Sequence, residues 1–269
     1  MRLCRFSASL EVRPTARDGE PGVSYGVPER DGVRELAGDP FRGLNPTDRV
    51  RGWSHVRLLP PCCPTKIVCL GRNYVDHARE HGHEPPRQPV IFFKPPSALV
   101  AAEDPVWYPE WDHDIHYEGE LGVVIGKRCF RIGSHAVGDY ILGYTCVNDV
   151  SARQAQRGDL QWTRGKGFDT SCPVGPVLTD EVDPAQLTVS TFLNGELRQC
   201  APVSDLIFSI ETVIRYIADI MTLEPGDLIS TGTPAGVGPM QVGDTVVVSI
   251  GGIGELKNTI VKDPAFAGA

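Results

Sequence analysis

The sequence lacks any run of about 18 consecutive apolar residues, the length that a transmembrane helix needs. It also lacks a basic excess, since 26 lysines and arginines stand against 34 aspartates and glutamates and leave a formal net charge of −8. That balance argues against nucleic acid or an anionic membrane as a partner. The first residues lack the apolar core of a signal peptide. We therefore expect a cytoplasmic protein with neither a nucleic-acid nor a membrane partner.

Several signature motifs are missing as well. None of the eight cysteines stands in C-x-x-C spacing, which excludes zinc-ribbon and thioredoxin-like sites. Spread over 269 residues, the cysteines are expected to be free thiols that act as small buried hydrophobes. No G-x-x-x-x-G-K-[ST] loop is present, and no G-x-G-x-x-G precedes a predicted helix. The sequence therefore gives no support to a phosphate-loop or dinucleotide-binding enzyme.

What the sequence does contain is a series of short apolar segments separated by glycine and proline. Residues 1–60 alternate such segments with polar turns and predict a small N-terminal β-rich domain. The proline-rich segment Leu59–Pro64 predicts a linker, and residues 66–262 form the predicted main domain. The fold class expected is mixed and β-dominated (α+β). Strands are predicted at 66–71, 90–93, 115–125, 141–148, 175–178, 187–193, 196–199, 226–232, 245–250 and 256–261.

Three further local patterns predict one hairpin and two helices. Asn194-Gly195 between two strands predicts a hairpin, because both residues tolerate a positive φ angle. A short helix is predicted at 74–81. One amphipathic helix is predicted with Ser204 as its N-cap. Its apolar stripe comprises Ile210, Val213, Ile214, Ile217, Ile220 and Met221.

The segment Asp114–Gly126 carries the strongest chemical signal. Its apolar residues alternate, so a strand would place His116, Glu118 and Glu120 together on the opposite face. Adjacent carboxylates repel each other and, when buried, need a shared proton or a cation. A solvated edge strand would explain an acidic face equally well. Asp149, directly after the predicted strand 141–148, adds a third hard oxygen ligand and favours Mg²⁺ or Mn²⁺ over structural zinc.

Two further segments suggest catalytic groups. His77 and Glu80 are i, i+3 neighbours on the short helix, an arrangement in which a carboxylate can orient a general base. A surface helix with mixed charges would show the same spacing. Lys166 lies between two glycines, either as an exposed loop lysine or as an ammonium that approaches a ligand. The glycine-rich turn 232–238 offers backbone N–H groups that can hold an anion.

Six short motifs stand in order along residues 66–261. They are Gly71-Arg72-Asn73-Tyr74, Phe93-Lys94-Pro95, Glu118-Gly119-Glu120-Leu121, Asn148-Asp149-Val150-Ser151-Ala152-Arg153, Lys166-Gly167-Phe168-Asp169-Thr170 and Thr231-Gly232-Thr233-Pro234. In combination they resemble the fumarylacetoacetate hydrolase family. The branch concerned includes acylpyruvases, oxaloacetate decarboxylases and tautomerases, and the isomerase/decarboxylases of homoprotocatechuate breakdown. Residues 1–60 resemble the small variable domain of some members.

The resemblance implies a β-sandwich roll, a homodimer, and Mg²⁺ or Mn²⁺ held by Glu118, Glu120 and Asp149. It implies that Lys166 holds or polarises the substrate, and that His77 and Glu80 are catalytic residues on a lid. The implied substrate-binding residues are Arg72, Tyr74, Lys94, Arg153, Gln156 and Thr233. One departure is Gln154, where the family commonly has an acid; it leaves the substrate open.

The function expected is divalent-metal-dependent hydrolysis of a C–C bond in a small 2-oxo acid, such as an acylpyruvate or a fumarylacetoacetate-like 2,4-dioxo acid. The metal would stabilise an enolate, and His77, oriented by Glu80, would activate water. Oxaloacetate decarboxylation or tautomerisation, and 2-hydroxyhepta-2,4-diene-1,7-dioate isomerisation or decarboxylation, need no water attack and stay open. A catalytically silent protein that binds metal and ligand is the alternative from another class.

Overall fold

The computed structural model describes residues 1–80, 82–133 and 136–266. Within these ranges the chain forms twenty β-strands and four α-helices, and the predicted β-dominated mixed fold is confirmed. The strands are β1 (Arg2–Ser7), β2 (Val23–Glu29), β3 (Gly32–Leu36), β4 (Pro46–Gly52), β5 (Arg57–Leu59), β6 (Ile67–Gly71), β7 (Val90–Lys94), β8 (Leu99–Val100), β9 (Val106–Tyr108), β10 (Ile115–Tyr117), β11 (Gly119–Ile125), β12 (Ile141–Asn148), β13 (Ser151–Ala152), β14 (Cys172–Thr179), β15 (Thr188–Leu193), β16 (Glu196–Pro202), β17 (Leu228–Ser230), β18 (Gly238–Met240), β19 (Thr245–Ile250) and β20 (Gly254–Lys262). The helices are α1 (Val75–Glu80), α2 (Arg153–Gly158), α3 (Thr163–Lys166) and α4 (Ile210–Ile220).

The largest sheet has twelve strands and runs through both predicted domains. Its main path is β4-β3-β2-β1-β14-β12-β11-β17-β6-β7. The N-terminal strands join the body where β1 pairs antiparallel with β14, Leu3 lying opposite Leu178. Residues 1–60 therefore share a continuous sheet with the residues that follow. Smaller sheets of three strands (β13-β10-β18) and five strands (β16-β15-β19-β20-β9) complete the fold.

The middle of the large sheet is covered on both faces. All seven residues of β11 are buried. Leu121 and Val123 pack in one apolar cluster, whereas Val124, on the other face, packs in a second. The period-two pattern of this segment is thus the pattern of a strand between two apolar layers, and the solvated edge-strand alternative is wrong. Such burial leaves any charged side chain at its end out of water.

The predicted strand 115–125 is divided in two at Glu118. Residues 115–117 form β10 in the three-stranded sheet, whereas β11 pairs with β12 and β17 in the large sheet. The backbone N–H of Glu118 donates to the side-chain oxygen of Asn148 at 2.9 Å instead of to a strand partner. The chain therefore changes sheets at the first acid. His116 lies before the change, and its Nε2 is 2.7 Å from Asp114.

The amphipathic helix forms as α4, with two corrections. Its N-cap is Ser209, whose hydroxyl accepts from the N–H of Thr212, whereas Ser204 lies exposed in a preceding 3₁₀ turn. Ile220 was assigned to the apolar stripe but is 52% exposed, because it lies at the edge of the stripe near the helix end. Val213, Ile214 and Ile217 are buried as predicted; Ala218 joins them.

The structure also bears on the predicted hairpin, the cysteines and the short helix. Asn194 and Gly195 have φ angles of 52° and 82° and connect β15 to β16, which confirms the hairpin. All eight cysteines are free and six are buried, with Cys63 half-buried and Cys200 exposed. The predicted helix 74–81 is observed as α1, and its last predicted residue, His81, falls outside the described ranges. Across those ranges, no helix has the length and apolarity needed to cross a bilayer.

The two serines allow a matched stability test. Ser209→Ala removes the capping hydroxyl of α4 and should lower the free energy of unfolding by about 0.5–2 kcal/mol. Ser204→Ala removes an exposed hydroxyl and should change it by less than about 0.5 kcal/mol. Urea unfolding of the two variants beside the wild type measures both. Equal effects would contradict the assignment of the cap.

Candidate metal centre and active-site cavity

Three acids converge where the large sheet meets the three-stranded sheet. Glu118 and Glu120 flank the start of β11, and Asp149 directly follows β12. Since these strands pair with Gly119 opposite Asn148, the three side chains are brought together. They are only 4%, 1% and 1% exposed. One oxygen from each carboxylate lies within 4.8 Å of the others, a spacing that suits a shared divalent cation.

Three buried cations balance these charges. The ammonium of Lys166 lies 2.5 Å from Glu118 and 2.7 Å from Asp149. Arg153 contacts the second oxygen of Glu118 at 2.6 Å, and Lys94 contacts Asp149 at 2.8 Å. The formal charges sum to zero. A divalent ion held by the three acids would therefore leave the site positive and attractive to an acidic ligand.

The pKa values of the clustered groups are shifted in different directions. Burial alone would raise the pKa of Glu118, but Lys166 and Arg153 hold it well below its usual range. Burial opposes the charge of Lys166, yet Asp149 and Glu118 raise its pKa above the ordinary value. Among the described residues no cation contacts Glu120 directly, and burial, then Asp149 and Glu118, raise its pKa well above normal despite the opposing charge of Lys166. The Glu120 carboxylate is thus the acid that most needs another positive charge.

The donor set also fits a hard divalent ion. Glu120 is fixed by two hydrogen bonds to one of its oxygens, from the hydroxyl of Ser230 and from the N–H of Gly232 at 2.7 Å. Neither donor brings a net charge, so they orient the carboxylate without neutralising it. Three oriented carboxylates with no thiolate or imidazole among the converging atoms favour Mg²⁺ or Mn²⁺ over zinc.

Lys166 is held far more rigidly than a loop lysine. It ends α3, is 2% exposed, and lies 5.1 Å from the ring centre of Phe92. The flanking glycines permit close packing: a Cβ on Gly165 would meet Ala152 O at 2.9 Å, and a Cβ on Gly167 would meet Thr163 O at 2.8 Å. The exposed-loop alternative is therefore wrong.

Lys94 lies beneath this site. Its ammonium is buried and donates to the carbonyls of Lys166, Val150 and Ser171 and to the hydroxyl of Ser171. It also forms the ion pair with Asp149. A side chain so completely engaged with protein groups positions the loop and the acid. The structure therefore does not place Lys94, predicted as a substrate contact, on the cavity surface.

The two residues of the predicted dyad are in contact. His77 Nδ1 lies 3.2 Å from Glu80 Oε2, and the other Glu80 oxygen accepts from the N–H of Gly236 at 3.1 Å. A protonated Nδ1 that donates to the carboxylate leaves Nε2 as the basic nitrogen of the neutral ring. The glycine-rich turn does bind anions, as predicted, but these are the protein's own carboxylates: Gly236 binds Glu80, and Gly232 binds Glu120.

A cavity of about 450 Å³ opens above the acids and the dyad. Eight predicted site residues line it: Arg72, His77, Glu118, Glu120, Arg153, Gln156, Lys166 and Thr233. Seven further residues complete the lining, and sequence reasoning did not assign them: Leu70, Gly71, His83, Phe92, Arg157, Asp159 and Trp162. The connection between α2 and α3 supplies Asp159 and Trp162, and because it is neither helix nor strand no periodic pattern could have marked them.

Tyr74 lies elsewhere. It is 3% exposed, forms a β-bridge with Leu206, and lines a separate cavity with Cys200 and Ala235. Arg72, which belongs to the same motif and was likewise predicted to bind substrate, lines the main cavity. Arg72 and Tyr74, two residues of the same motif, therefore line different cavities, which the motif alone did not reveal.

Comparison with known proteins agrees with this architecture. Residues 66–261 match the family model described as fumarylacetoacetate (FAA) hydrolase C-terminal, and residues 1–61 match one described as Rv2993c-like, N-terminal. The bovine protein named oxaloacetate tautomerase FAHD1, mitochondrial, is 44% identical over 197 residues, which cover 71% of this chain and 89% of that protein. The fold and site thus define a β-dominated protein with a buried carboxylate centre beside a cavity.

Two solved structures are also similar to this chain. A 2-hydroxyhepta-2,4-diene-1,7-dioate isomerase from Mycobacterium marinum is 42% identical with a TM-score of 0.86, covering 98% of this chain and 99% of its own. A fumarylpyruvate hydrolase from Pseudomonas aeruginosa in complex with Mn²⁺ and pyruvate is 33% identical with a TM-score of 0.71, covering 81% of this chain and 93% of its own. The chain belongs to the fumarylacetoacetate hydrolase family.

Metal binding should be visible as stabilisation. Mn²⁺ at about 100 times its Kd should add about 2.7 kcal/mol to the free energy of unfolding, because it binds only the folded cluster. Glu120→Gln keeps the shape but removes a charged ligand, so this gain should shrink strongly. The metal-free variant should be no less stable than the wild type, since like-charge repulsion is relieved.

Thermal unfolding at several Mn²⁺ concentrations measures these effects. Glu11→Gln, at an exposed glutamate, is the matched control and should keep the full response. Equal Mn²⁺ stabilisation of the wild type and Glu120→Gln would rule out Glu120 as a ligand.

Proposed function

We propose that this protein is a divalent-metal-dependent enzyme that transfers a proton at C3 of a small 2-oxo acid, with keto–enol tautomerisation of oxaloacetate as its reaction. One observation carries the proposal. The oriented base His77 and the acids Glu118 and Glu120 line the same cavity, so one bound ligand can reach both. The names of the bovine relative, a tautomerase, and of the M. marinum relative, an isomerase, support proton transfer as the common chemistry.

The metal would be held by Glu118, Glu120 and Asp149. When bound, it supplies Lewis-acid stabilisation of negative charge on the 2-oxo oxygen. Lys166, already in contact with two of the ligands, holds them in place and adds positive charge to the same end of the cavity. A structure of the P. aeruginosa relative with Mn²⁺ and pyruvate supports a 2-oxo acid as the partner of such a site.

The dyad performs the proton transfer. His77 Nε2 accepts a proton from C3 of the keto acid, and the C–H electron pair forms the C2–C3 double bond. The 2-oxo oxygen takes up a proton, so that the keto and enol forms have the same composition. Glu80, fixed by Gly236, stabilises the imidazolium that exists between the two transfers. In the reverse direction the same groups return the proton to C3.

Hydrolytic C–C cleavage of an acylpyruvate is the second candidate. It is favoured by the same His77–Glu80 contact and by the name of the P. aeruginosa relative, fumarylpyruvate hydrolase. There His77 takes a proton from water, and the hydroxide adds to the distal carbonyl. The C3–C4 bond then breaks, giving a carboxylic acid and a pyruvate enolate that is protonated at C3. A homodimer and a cytoplasmic location stay predictions alongside either reaction.

Replacing His77 should reduce activity while the protein stays folded. His77→Ala should lower kcat/KM for oxaloacetate tautomerisation about 10²–10⁴-fold, the usual contribution of a positioned general base. Glu80→Gln should lose somewhat less, because the histidine remains but is oriented by a neutral group. Ultraviolet absorbance of the enol follows the reaction, and Mn²⁺ stabilisation checks that the site is intact.

The control is His113→Ala at an exposed histidine, which should keep full activity. The same variants assayed with acetylpyruvate report on cleavage. Turnover of acetylpyruvate but not of oxaloacetate by the wild type would favour the hydrolase. No turnover of either, with Mn²⁺ bound, would leave a catalytically silent binding protein and contradict the proposal.

A further inference from the structure

The guanidinium of Arg72 is unusual among the charged groups that line the cavity. Most of the others are paired within the protein: Arg153 with Glu118, Arg157 with Asp114, Asp159 with Arg164, and Lys166 with two acids. Within the described residues, the side chain of Arg72 makes no ion pair or hydrogen bond, and its guanidinium instead makes a cation–π contact with Trp162. His83 lies exposed at the rim of the cavity.

One face of Arg72 is covered by an aromatic ring. Its guanidinium carbon lies 5.9 Å from the ring centre of Trp162. The indole is itself packed edge-on against Phe92, with ring centres 5.3 Å apart. A Cβ on Gly71 would meet Trp162 at 2.7 Å, so the glycine is needed for this close approach. This cation–π contact holds the guanidinium beside the indole without using its N–H groups as hydrogen-bond donors.

The backbone also holds Arg72 in a costly conformation. Its φ angle is 64°, in the left-handed region that few arginines occupy. The next residue, Asn73, is buried and anchors the turn: its side chain accepts from Phe208 N–H at 2.8 Å and donates to Thr231 O at 2.8 Å. Backbone strain that surrounding contacts maintain is common at ligand-binding positions.

We propose that Arg72 binds the distal carboxylate of a dicarboxylic 2-oxo acid and so selects diacids over monoacids. This assignment rests on the proposed function, which places the 2-oxo acid end of the ligand at the acid cluster. A planar guanidinium with a free edge matches a carboxylate through two parallel hydrogen bonds. Because no acid in the described part of the chain neutralises Arg72, a second carboxylate on the ligand would complete the charge balance of the cavity.

The size of the effect follows from the interaction lost. A charged hydrogen bond contributes about 1.5–3 kcal/mol, so removing it should weaken diacid binding about 10- to 150-fold. Arg72→Asn removes the cation with a residue that tolerates a left-handed backbone. Arg72→Lys keeps the charge but loses the fork, and should fall between Arg72→Asn and the wild type.

Calorimetric titration of the full-length, Mn²⁺-loaded protein provides a readout that needs no turnover. The ligands are 2-oxoglutarate and 2-oxopentanoate, which differ in a distal carboxylate against a methyl group, and oxalate, which has no distal group. The wild type should prefer the diacid, and Arg72→Asn should lose that preference while its oxalate affinity is kept. Arg157→Gln should retain the preference, because Asp114 already occupies that guanidinium.

Kinetics supply the second measurement. Arg72→Asn should raise KM for oxaloacetate about 10- to 150-fold, with a smaller change in kcat. Retained diacid preference in Arg72→Asn, with oxalate bound normally, would overturn the role of Arg72 and leave the proposed function intact. Failure of the wild type to bind oxalate or to turn over any 2-oxo acid would overturn both.

Discussion

The ammonium of Lys166 lies between Glu118 and Asp149, in a part of the protein from which water is almost excluded. Burying such charges costs several kcal/mol for each ion, and only good geometry and further hydrogen bonds offset the cost. The neighbouring structure supplies these. Lys94 and Arg153 complete the pairing, and the carbonyl of Lys166 is itself bound by Lys94. The loss of one member would leave its partner charged and unpaired, so these five groups depend on one another.

The sheet provides the geometry for this charge cluster. Strands β11 and β12 are buried between two apolar layers, so their ends are fixed with little freedom. At Glu118 the chain leaves one sheet for the next, and the side chain of Asn148 replaces the missing strand partner. The return bond from Asp149 N–H to Glu118 O at 2.8 Å joins the two ligand positions directly. Metal ligation, where it occurs, would thus be preorganised by the backbone.

The acid cluster lies at one end of the cavity, and other residues surround the rest of it. Oxaloacetate tautomerase, dioate isomerase and fumarylpyruvate hydrolase are names of relatives of this chain. Under the proposed function, the chemistry at the 2-oxo acid end of a ligand would belong to the acid cluster and Lys166. Differences among such enzymes would then come from what surrounds the remainder of the ligand. Here that surrounding includes Arg72, Trp162 and the exposed rim near Asp159.

The sequence by itself determined the family, the β-dominated class and the convergent acids, because period-two burial and short motifs are local properties. It also placed His77 beside Glu80, since helical spacing brings i and i+3 together. Only the tertiary structure decided which cation meets which acid. Lys94 lies beneath the cavity, Tyr74 lines another surface, and Ser209, not Ser204, caps α4. The positions of Lys94 and Tyr74 depend on contacts between residues far apart in the chain, about which local pattern carries no information. The cap is a local contact, but its position is set by the residue at which α4 begins in the folded chain.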